Sequence, residues 1–301
     1  MSYTLIFDNG CSTIKAGYVT DDQPRLFPNC IVKTKTDRKR VYVADEVEEC
    51  RDHSSIFFLL QQKRDILVMN WDVQQQIWDR VFGKDALNVS FSDTRVIMTD
   101  VIYNIPAIRD FSDEILFEQY GFHSVVKASA SSLIAMADTV LQEYKDQLCC
   151  IVIDTGFSFT HIVPYYNGKI IREGILRIDI GGKILTNLLK EWISYRQLNV
   201  MEETYVMNEC KEDICFVAYD FVKYMEIAKR RGKENIIVQD YMLPDFNTHS
   251  RGFVRIPEDN VCDDLQKLRV NVERFAVPEV LFHRQISGFY KWVYQKLLQQ
   301  L

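Results

Sequence analysis

The fold of this chain is decided by one stretch near its beginning, Asp8-Asn9-Gly10-Cys11-Ser12-Thr13-Ile14-Lys15-Ala16-Gly17. Apolar residues flank it at 3–7 and 18–19, so the stretch is predicted to form the turn of a β-hairpin. An Asn-Gly turn followed by small hydroxyl residues directs successive backbone N–H groups toward one point, and this concave arrangement suits phosphate oxygens. Lys15 adds a positive charge, and Asp8 is placed to hold a hydrated Mg²⁺ ion.

Taken alone, the stretch is explained more simply as an ordinary hairpin with a solvated lysine. The pattern returns, however, at 150–163, where an apolar strand leads into the turn Asp154-Thr155-Gly156-Phe157-Ser158. Two copies half a chain apart indicate a duplicated unit. Facing hairpins of this kind would hold a phosphate chain and its metal from both sides, with Asp8 and Asp154 as the metal carboxylates. A nucleotide is therefore predicted to lie between two domains.

The composition is that of an ordinary globular protein. The chain has 301 residues, of which 47% are hydrophobic and 26% charged, which fits two domains. Its formal charge of -6 argues against a protein that coats nucleic acid through its own field and is compatible with partners rich in lysine and arginine. Basic residues cluster at 33–40 and 229–233, where a solvated loop and a helix end explain them as well as a phosphate-binding patch does.

The eight cysteines are scattered without a C-x-x-C pair, which predicts thiols in a reducing compartment. The sequence begins with a strand pattern instead of an apolar leader, and its longest apolar runs are too short to span a membrane. We therefore expect an intracellular, soluble protein.

Strands alternate with helices along both halves, which predicts βαβ units and a mainly parallel sheet. One helix is predicted to begin at Asn70 and to place Trp71 and Trp78 in the core. Another is predicted to be capped at Asp110 and to end at Gly121.

In the second half, a long helical region is predicted over 202–231. Gly181 and Gly182 open an amphipathic helix before it. Such a pair lets a ligand approach the backbone closely, and it serves equally well in a tight strand-to-helix turn.

Several longer motifs resemble actin-family signatures and occur in the actin-family order. They are DNGCSTIKAG at the first turn, NCIV after the DD-Q-PR turn, NWD followed by IW, IDTGFSFTHIVP, LRIDIGGK-LT, CKEDICFVAYDF and ERFAVPEVLF. They extend from the beginning of the chain to about His283. The segment 99–106 and the short loop after Ile31 resemble nuclear actin-related proteins more than filament-forming actins.

The resemblance implies the α/β fold shared by actins, sugar kinases and heat-shock chaperone ATPases, with two related domains around a nucleotide cleft. The first domain is expected at 1–148 and the second, incomplete at its C-terminal part, at 149–283. The segment 284–301 is unlike the family, as expected of a truncated or alternatively spliced form.

The resemblance also implies ATP or ADP with Mg²⁺ as a structural ligand, bound more weakly than in an intact relative. It assigns phosphate contacts to the first turn (Asp8, Asn9, Gly10, Cys11, Ser12, Thr13 and Lys15) and to the second turn (Asp154, Thr155, Gly156, Phe157 and Ser158). It assigns the ribose and base side to Gly182, Lys211 and Glu212. Both carboxylates, Asp8 and Asp154, are its metal ligands.

Three departures from the family concern catalysis. Phe157 and Ser158 stand where the family usually has Asp and Gly, and Asn208 stands where it has Arg. The glutamine that positions the attacking water falls near Ser129. Because phosphoryl transfer depends mainly on positioning, we expect no enzymatic activity and no catalytic residue, and His161, which does match the family, is expected to be a packed side chain.

The function that the resemblance implies is that of a non-catalytic subunit of a nuclear chromatin-remodelling complex that exchanges a histone variant into nucleosomes. Its expected partners are other subunits of that complex, with histones as further candidates, and neither a membrane nor a specific DNA sequence. A location in the nucleus, with a cytoplasmic pool as a further expectation, follows from the same resemblance. The alternatives are an ATP-dependent phosphoryl transferase of the same superfamily and a cytoskeletal actin-like protein.

Overall fold

The computed structural model describes residues 3–33, 40–50, 56–58, 70–137, 149–246, 248–256 and 265–282. The chain folds into two compact units, Met1–Asp179 and Ile180–Leu301, and each is described by itself. Residues 149–179 therefore belong to the first compact unit, although the sequence places them in the second of two related domains. That domain boundary stays a prediction, and the segment 284–301 lies outside the described residues.

The first unit contains twelve strands and three α-helices in the part of the chain that the structure describes. The strands are β1 (Tyr3–Asn9), β2 (Thr13–Tyr18), β3 (Arg25–Pro28), β4 (Cys30–Lys33), β5 (Val41–Val43), β6 (Ile56–Phe58), β7 (Thr94–Asp100), β8 (Ser124–Ser129), β9 (Cys150–Thr155), β10 (Thr160–Tyr166), β11 (Lys169–Ile170) and β12 (Leu176–Ile178). The helices are α1 (Trp71–Phe82), α2 (Pro106–Glu114) and α3 (Ala130–Ala135).

The main sheet has five strands in the order β3-β2-β1-β7-β8. Strand β1 pairs with β2 as the predicted antiparallel hairpin and with β7 in parallel, and β7 pairs with β8 in parallel. The sheet β5-β4-β6 and the sheet built on β9 and β10, which form the second predicted hairpin, are antiparallel. The prediction of a mainly parallel sheet is therefore wrong, because parallel pairing is confined to β1, β7 and β8 among the described strands.

Helix α1 forms the core of the first unit with β1. Its predicted cap is confirmed, since Asn70 Oδ1 accepts a hydrogen bond from Val73 N at 3.3 Å. Trp78 is fully buried, with its ring centroid 5.8 Å from that of Phe7. Trp71 differs from the prediction, because it stays partly exposed and borders a cleft.

Helix α2 begins earlier than predicted. Pro106 takes its first position, where a backbone N–H has no helical partner and proline is therefore tolerated. Asp110 lies inside the helix instead of capping it. The helix continues as a π-helical turn over Ile115–Gln119. It ends as predicted before Gly121, which has a φ of 72°.

The second unit consists of four helices and one antiparallel sheet in its described part. The helices are α4 (Gly182–Arg196), α5 (Thr204–Ile214), α6 (Phe221–Ala228) and α7 (Glu273–Ala276). The strands are β13 (Gln239–Met242), β14 (Phe253–Val254) and β15 (Lys267–Val270), in the order β14-β13-β15. The long helical region predicted over 202–231 is broken at 215–220, where Phe216 N bonds to Arg274 O at 2.9 Å and takes the chain into a tertiary contact.

The core of the second unit is formed by helices α4 and α5 against the sheet. Its fully buried members include Leu189, Ile193, Met207, Tyr241 and Phe275. No helix in the described part of the chain is long and apolar enough to cross a membrane.

A buried carboxylate ties α7 to α4. Glu273 is 2% exposed, and its Oε1 lies 2.6 Å from Arg196 Nη1. Its Oε2 accepts a hydrogen bond from Asn271 N at 3.0 Å. Removing one partner of a buried ion pair leaves the other charge uncompensated.

We therefore expect Arg196→Ala to lower the free energy of unfolding by about 3–5 kcal/mol, because Glu273 would stay buried without its partner. Urea denaturation followed by circular dichroism measures this loss. Lys223→Ala, which removes an exposed cation from the same unit, is the control and should change the free energy of unfolding by less than about 0.5 kcal/mol. Equal effects of the two variants would contradict the role given to the ion pair.

Candidate functional site

A cleft of about 530 Å³ in the first unit is lined by both predicted turns. The turns meet directly, because Ser158 Oγ donates a hydrogen bond to Cys11 Sγ at 3.1 Å. The structure brings together around this cleft all the phosphate-side residues that were predicted. They are Asp8, Asn9, Gly10, Cys11, Ser12, Thr13, Lys15, Asp154, Thr155, Gly156, Phe157 and Ser158.

The first turn is held in place by a chain of side-chain amides. Trp78 Nε1 donates to Asn9 Oδ1 (3.1 Å), and Asn9 Nδ2 donates to Gln74 Oε1 (3.3 Å). Gln74 Nε2 then donates to Asn29 Oδ1 at 3.1 Å. Gln74 and Asn29 are both almost fully buried, so the hydrogen bond between them does not compete with water.

Asn29 completes the chain of amides at the backbone of the turn. Its Nδ2 donates to Gly10 O at 2.7 Å and its backbone N donates to Ser12 O at 2.8 Å. These bonds occupy two carbonyl oxygens of the turn. The N–H and hydroxyl groups of Ser12 and Thr13, which line the cleft, are the kind of donors that bind an anion.

Gly10 is required by close approach of the backbone. A Cβ atom at this position would lie 2.4 Å from Thr13 O, which no side chain tolerates without opening the turn. A Cβ at Gly156 in the second turn would lie 3.4 Å from Phe159 O, an ordinary contact. The two turns therefore share a sequence pattern but differ in tightness.

The carboxylate of Asp8 is oriented by the neighbouring parallel strand. Thr99, near the carboxyl end of β7, donates from Oγ1 to Asp8 Oδ1 at 2.5 Å. Lys15 Nζ lies 3.5 Å from Asp8 Oδ2. Asp154 stands at the end of β9 and faces His161 across the second hairpin. Each turn thus contributes one carboxylate to the cleft.

The donor set of the cleft suits a hydrated Mg²⁺ ion. Carboxylate oxygens are hard ligands, and Mg²⁺ keeps most of its waters while binding one or two carboxylates and substrate phosphates. Among the described residues, no group of three or more His, Cys, Asp or Glu side chains is arranged to hold a metal by itself. Asn104 Oδ1, in a residue that lines the cleft, is buried without a hydrogen-bond partner in the described part of the chain. Such an acceptor fits a donor such as a metal-bound water.

Ser129, the residue nearest to the family's water-positioning glutamine, is occupied elsewhere. Its Oγ caps helix α3 by accepting from Ser132 N at 3.3 Å, and it shares a hydrogen bond of 2.7 Å with Ser132 Oγ. Ser129 is not among the residues that line the cleft, whereas Ser131 is. At the second turn, Phe157 places an aromatic ring where the family usually has a carboxylate. Both positions therefore differ in chemistry from the family pattern.

Asp100 was missed by the sequence analysis as a cleft residue. It ends β7, and its Oδ1 accepts from Val101 N (2.9 Å) and Asn104 Nδ2 (2.7 Å). Arg109 Nε lies 3.3 Å from its Oδ2. The sequence did contain a signal for Asp100, because 95–100 is predicted to be a strand that ends in Asp. The carboxyl ends of parallel strands meet at one edge of a sheet, which would place Asp100 beside Asp8.

Lys127 is a second cleft residue that the sequence did not reveal. Its side chain is 6% exposed and lies 2.7 Å from Asp113 Oδ1. It also donates to Arg109 O at 2.9 Å and to Ser112 Oγ. Helix α2 thus holds this cation in the wall of the cleft, and nothing in the local sequence indicates it.

The three residues predicted on the ribose and base side lie in the second unit and share one network there. Thr186 Oγ1 donates to Gly182 O at 3.0 Å, and Lys211 Nζ donates to Thr186 Oγ1 at 3.2 Å and to Asn208 Oδ1 at 2.7 Å. Asn208 Nδ2 donates to Glu212 Oε1 at 2.8 Å. Burial lowers the pKa of Lys211, against the opposing effect of Glu212. Their contact with a base stays a prediction.

His161 is buried at the floor of the cleft, as expected of a packed side chain. The imidazole ring packs against the ring of Phe159. The guanidinium of Arg177 also lies over the Phe159 ring. Burial lowers the pKa of His161 and the charge of Arg177 lowers it further, while Asp154 and Asp179 oppose the shift. Burial and Arg177 therefore both favour the neutral imidazole.

We expect the pKa of His161, measured by NMR titration of its ring proton, to lie below the ordinary value of 6.5. Because the folded state holds fewer protons than the unfolded state, His161 stabilises the fold above pH 6.5 and this contribution is lost as the pH falls below that value. Arg177→Gln should raise the pKa, since it removes a nearby positive charge. Arg172→Gln, at an exposed cation of the same unit, is the control and should leave it unchanged.

Gln74→Leu should lower the free energy of unfolding by about 2–4 kcal/mol, because it leaves Asn29 Oδ1 in the core without its donor and removes the acceptor of Asn9 Nδ2. Gln76→Leu alters an exposed position of the same helix and serves as the control. Urea denaturation of both variants gives the comparison. A loss of stability that is no larger for Gln74→Leu than for the control would show that the amide chain does not support the turn.

Comparison with known proteins shows the family. The family model described as Actin matches residues 2–296. It takes in most of the segment after His283, which the sequence analysis expected to be unlike the family. Members of the actin family generally bind ATP or ADP with Mg²⁺.

The relatives carry actin-related names. An actin-like protein of Caenorhabditis elegans (C08B11.6) is 47% identical over 93% of this chain and 66% of its own length. Actin-related protein 6 of Drosophila melanogaster is 43% identical over 94% of this chain and 72% of its own length. Actin-related protein 6 of Arabidopsis thaliana is 33% identical over 94% of this chain.

The chain spans 66% of the Caenorhabditis elegans protein, 72% of the Drosophila melanogaster protein and 73% of the Arabidopsis thaliana protein. The hairpins, the cleft that they line, the family match and these relatives agree with one another. The chain belongs to the actin family, with the actin-like α/β fold, and within the family to the actin-related protein 6 class.

Proposed function

We propose that this chain is a non-catalytic subunit of a nuclear chromatin-remodelling complex that exchanges a histone variant into nucleosomes, with ATP or ADP and Mg²⁺ as a structural ligand. The observation that carries the proposal is that the cleft has groups suited to phosphate and lacks the family's water-positioning side chain at Ser129. Both turns present groups that bind phosphate, while Ser129 is used to cap a helix and Phe157 replaces a polar group. Such a cleft binds a nucleotide without processing it.

The assembly role rests on the class of the relatives. Their printed names are actin-related protein 6 or actin-like protein, and the motifs of this chain resemble nuclear actin-related proteins. The proposed partners are other subunits of the complex and, through its acidic net charge, basic proteins such as histones. The proposed location is the nucleus, with a cytoplasmic pool, and neither a membrane nor a specific DNA sequence is a proposed partner.

The residues of the cleft have separate tasks in holding the ligand. Mg²⁺, when bound, neutralises phosphate charge. Asp8 and Asp154 would hold the hydrated ion, and Lys15 with the N–H and hydroxyl groups of Ser12 and Thr13 would hold phosphate oxygens. The amide chain behind the first turn keeps these donors in place before the ligand arrives, so little ordering is required on binding.

The enzyme alternative lacks a free base in the described part of the cleft. Asp100 is the additional carboxylate there, but both of its oxygens are engaged, one by Val101 N and Asn104 Nδ2 and the other by Arg109. This carboxylate is therefore already used to hold the residues that follow β7. The cytoskeletal alternative concerns the loop over 34–39 and the C-terminal part, which lie outside the described residues.

A titration with Mg²⁺-ATP, followed by thermal unfolding and by phosphate release, tests the proposal. We expect saturable stabilisation, which amounts to about 2.7 kcal/mol at a ligand concentration near 100 times Kd, and no turnover. Asp8→Ala and Asp154→Ala should each abolish the stabilisation. Asp22→Ala, which removes an exposed carboxylate of the same unit, should retain it.

Two outcomes would overturn parts of the proposal. Phosphate release that depends on both carboxylates would replace the structural role with the enzyme alternative. A folded protein that shows no stabilisation at all would remove the nucleotide from the proposal. The assembly role is tested separately, by whether the tagged chain copurifies from nuclear extract with subunits of a histone-exchange complex.

A further inference from the structure

The second unit carries an exposed run of cations that the proposed function does not use. Lys229, Arg230, Arg231 and Lys233 follow one another at the end of α6 and are all exposed. They lie in a chain whose formal charge is -6. So dense a cluster of one sign in an acidic protein requires a reason.

Capping of the helix is not that reason. Cations are favoured at a helix C-terminus because the last carbonyl groups lack partners. At α6 the Ala228 carbonyl already accepts from Asn235 Nδ2 at 3.0 Å and from Asn271 Nδ2 at 3.1 Å. Two neutral amides therefore satisfy the terminal carbonyl that the basic side chains would otherwise serve.

Ion pairing does not account for the cluster either. Other cations of this unit have carboxylate partners, such as Arg196 with Glu273, Arg251 with Asp213 and Lys267 with Asp240. None of the four clustered side chains forms an ion pair with another described residue. Their charges therefore remain available at the surface.

The backbone presents these cations in a fixed arrangement. Gly232 turns the chain between Arg231 and Lys233 with a φ of 62°, a conformation that favours glycine. Asn235 pins the returning segment to α6 through Ala228 O and accepts from Ile237 N at 3.1 Å. A held loop loses little conformational freedom on binding.

Apolar side chains flank the cations on both sides. Ile236, directly after Asn235, is 77% exposed, and Val222, two turns before Lys229 on the same face of α6, is 68% exposed. Exposed aliphatic groups next to unpaired cations suit a ligand that carries both carboxylates and apolar side chains. A nucleic-acid backbone offers the anions without aliphatic side chains to cover Val222 and Ile236.

We propose that Lys229, Arg230, Arg231 and Lys233, with Val222 and Ile236, form a docking surface for an acidic protein segment that contains apolar residues. Arginine pairs with carboxylates through two parallel hydrogen bonds, and the aliphatic groups bury apolar side chains of the same segment. This inference is independent of nucleotide binding in the first unit.

Fluorescence anisotropy with the full chain tests the surface. The probe is a labelled peptide in which Asp and Glu alternate with Leu and Phe, and a short DNA duplex is measured alongside it. The quadruple variant Lys229→Ala, Arg230→Ala, Arg231→Ala, Lys233→Ala should weaken peptide binding about tenfold or more. The matched control is Lys84→Ala, Arg95→Ala, Lys169→Ala, Arg172→Ala, which removes the same charge from exposed positions and should bind the peptide as the parent does.

The apolar part of the surface has its own measurement. Ile236→Ser should weaken binding of this peptide and leave unchanged the binding of a peptide in which Ser replaces every Leu and Phe. An equal loss in the matched control would show that only the overall charge matters and would overturn the site. Tighter, cluster-dependent binding of the duplex would assign the surface to nucleic acid instead, and no binding of the acidic peptide to a folded parent would also reject the proposal.

Discussion

The first unit depends on a chain of buried amides that runs from Trp78 through Asn9, Gln74 and Asn29 to Gly10 O. It joins the hydrophobic core under α1 to the backbone of the first turn. Because Gln74 and Asn29 are buried, the hydrogen bond between them is shielded from water, and loss of either side chain leaves the other unsatisfied. The shape of the first turn therefore depends on the packing of α1, and the geometry of the cleft depends on the hydrophobic core.

The proposed function separates the binding of phosphates from catalysis. Binding of phosphates needs donors and cations at fixed positions, and these come from two turns and from the ends of parallel strands. Catalysis needs one further group that orients a water in line with the transferred phosphate. Under the proposed function, the chain keeps the groups that bind phosphates and uses Ser129 for a helix cap, so the nucleotide would be a structural ligand.

The second unit distributes its charge in a different way. Several of its described cations form ion pairs that hold its elements together, as Arg196 does with Glu273. The cations at 229–233 form no ion pair with another described residue. They are also not needed to cap α6, because two asparagine amides donate to its terminal carbonyl. Charge that does not stabilise the fold is available for recognition. An acidic chain can in this way carry a local surface of opposite sign and approach partners of either charge.

Local chemistry determined much of this protein. Alternating apolar residues and Gly/hydroxyl turns specify both hairpins, Asn70 specifies the start of α1, and the order of the motifs specifies the family, because each signal depends on residues close together in the chain. The tertiary structure alone decided where the long helical region breaks, which strands pair in parallel, and how Asp100 and Lys127 reach the cleft. It also decided the partners of Asn29 and Asp8, which bond to residues 45 and 91 positions away. Contacts across such separations depend on how the elements pack. Neither the local propensities nor the spacing of residues in the sequence determines this packing.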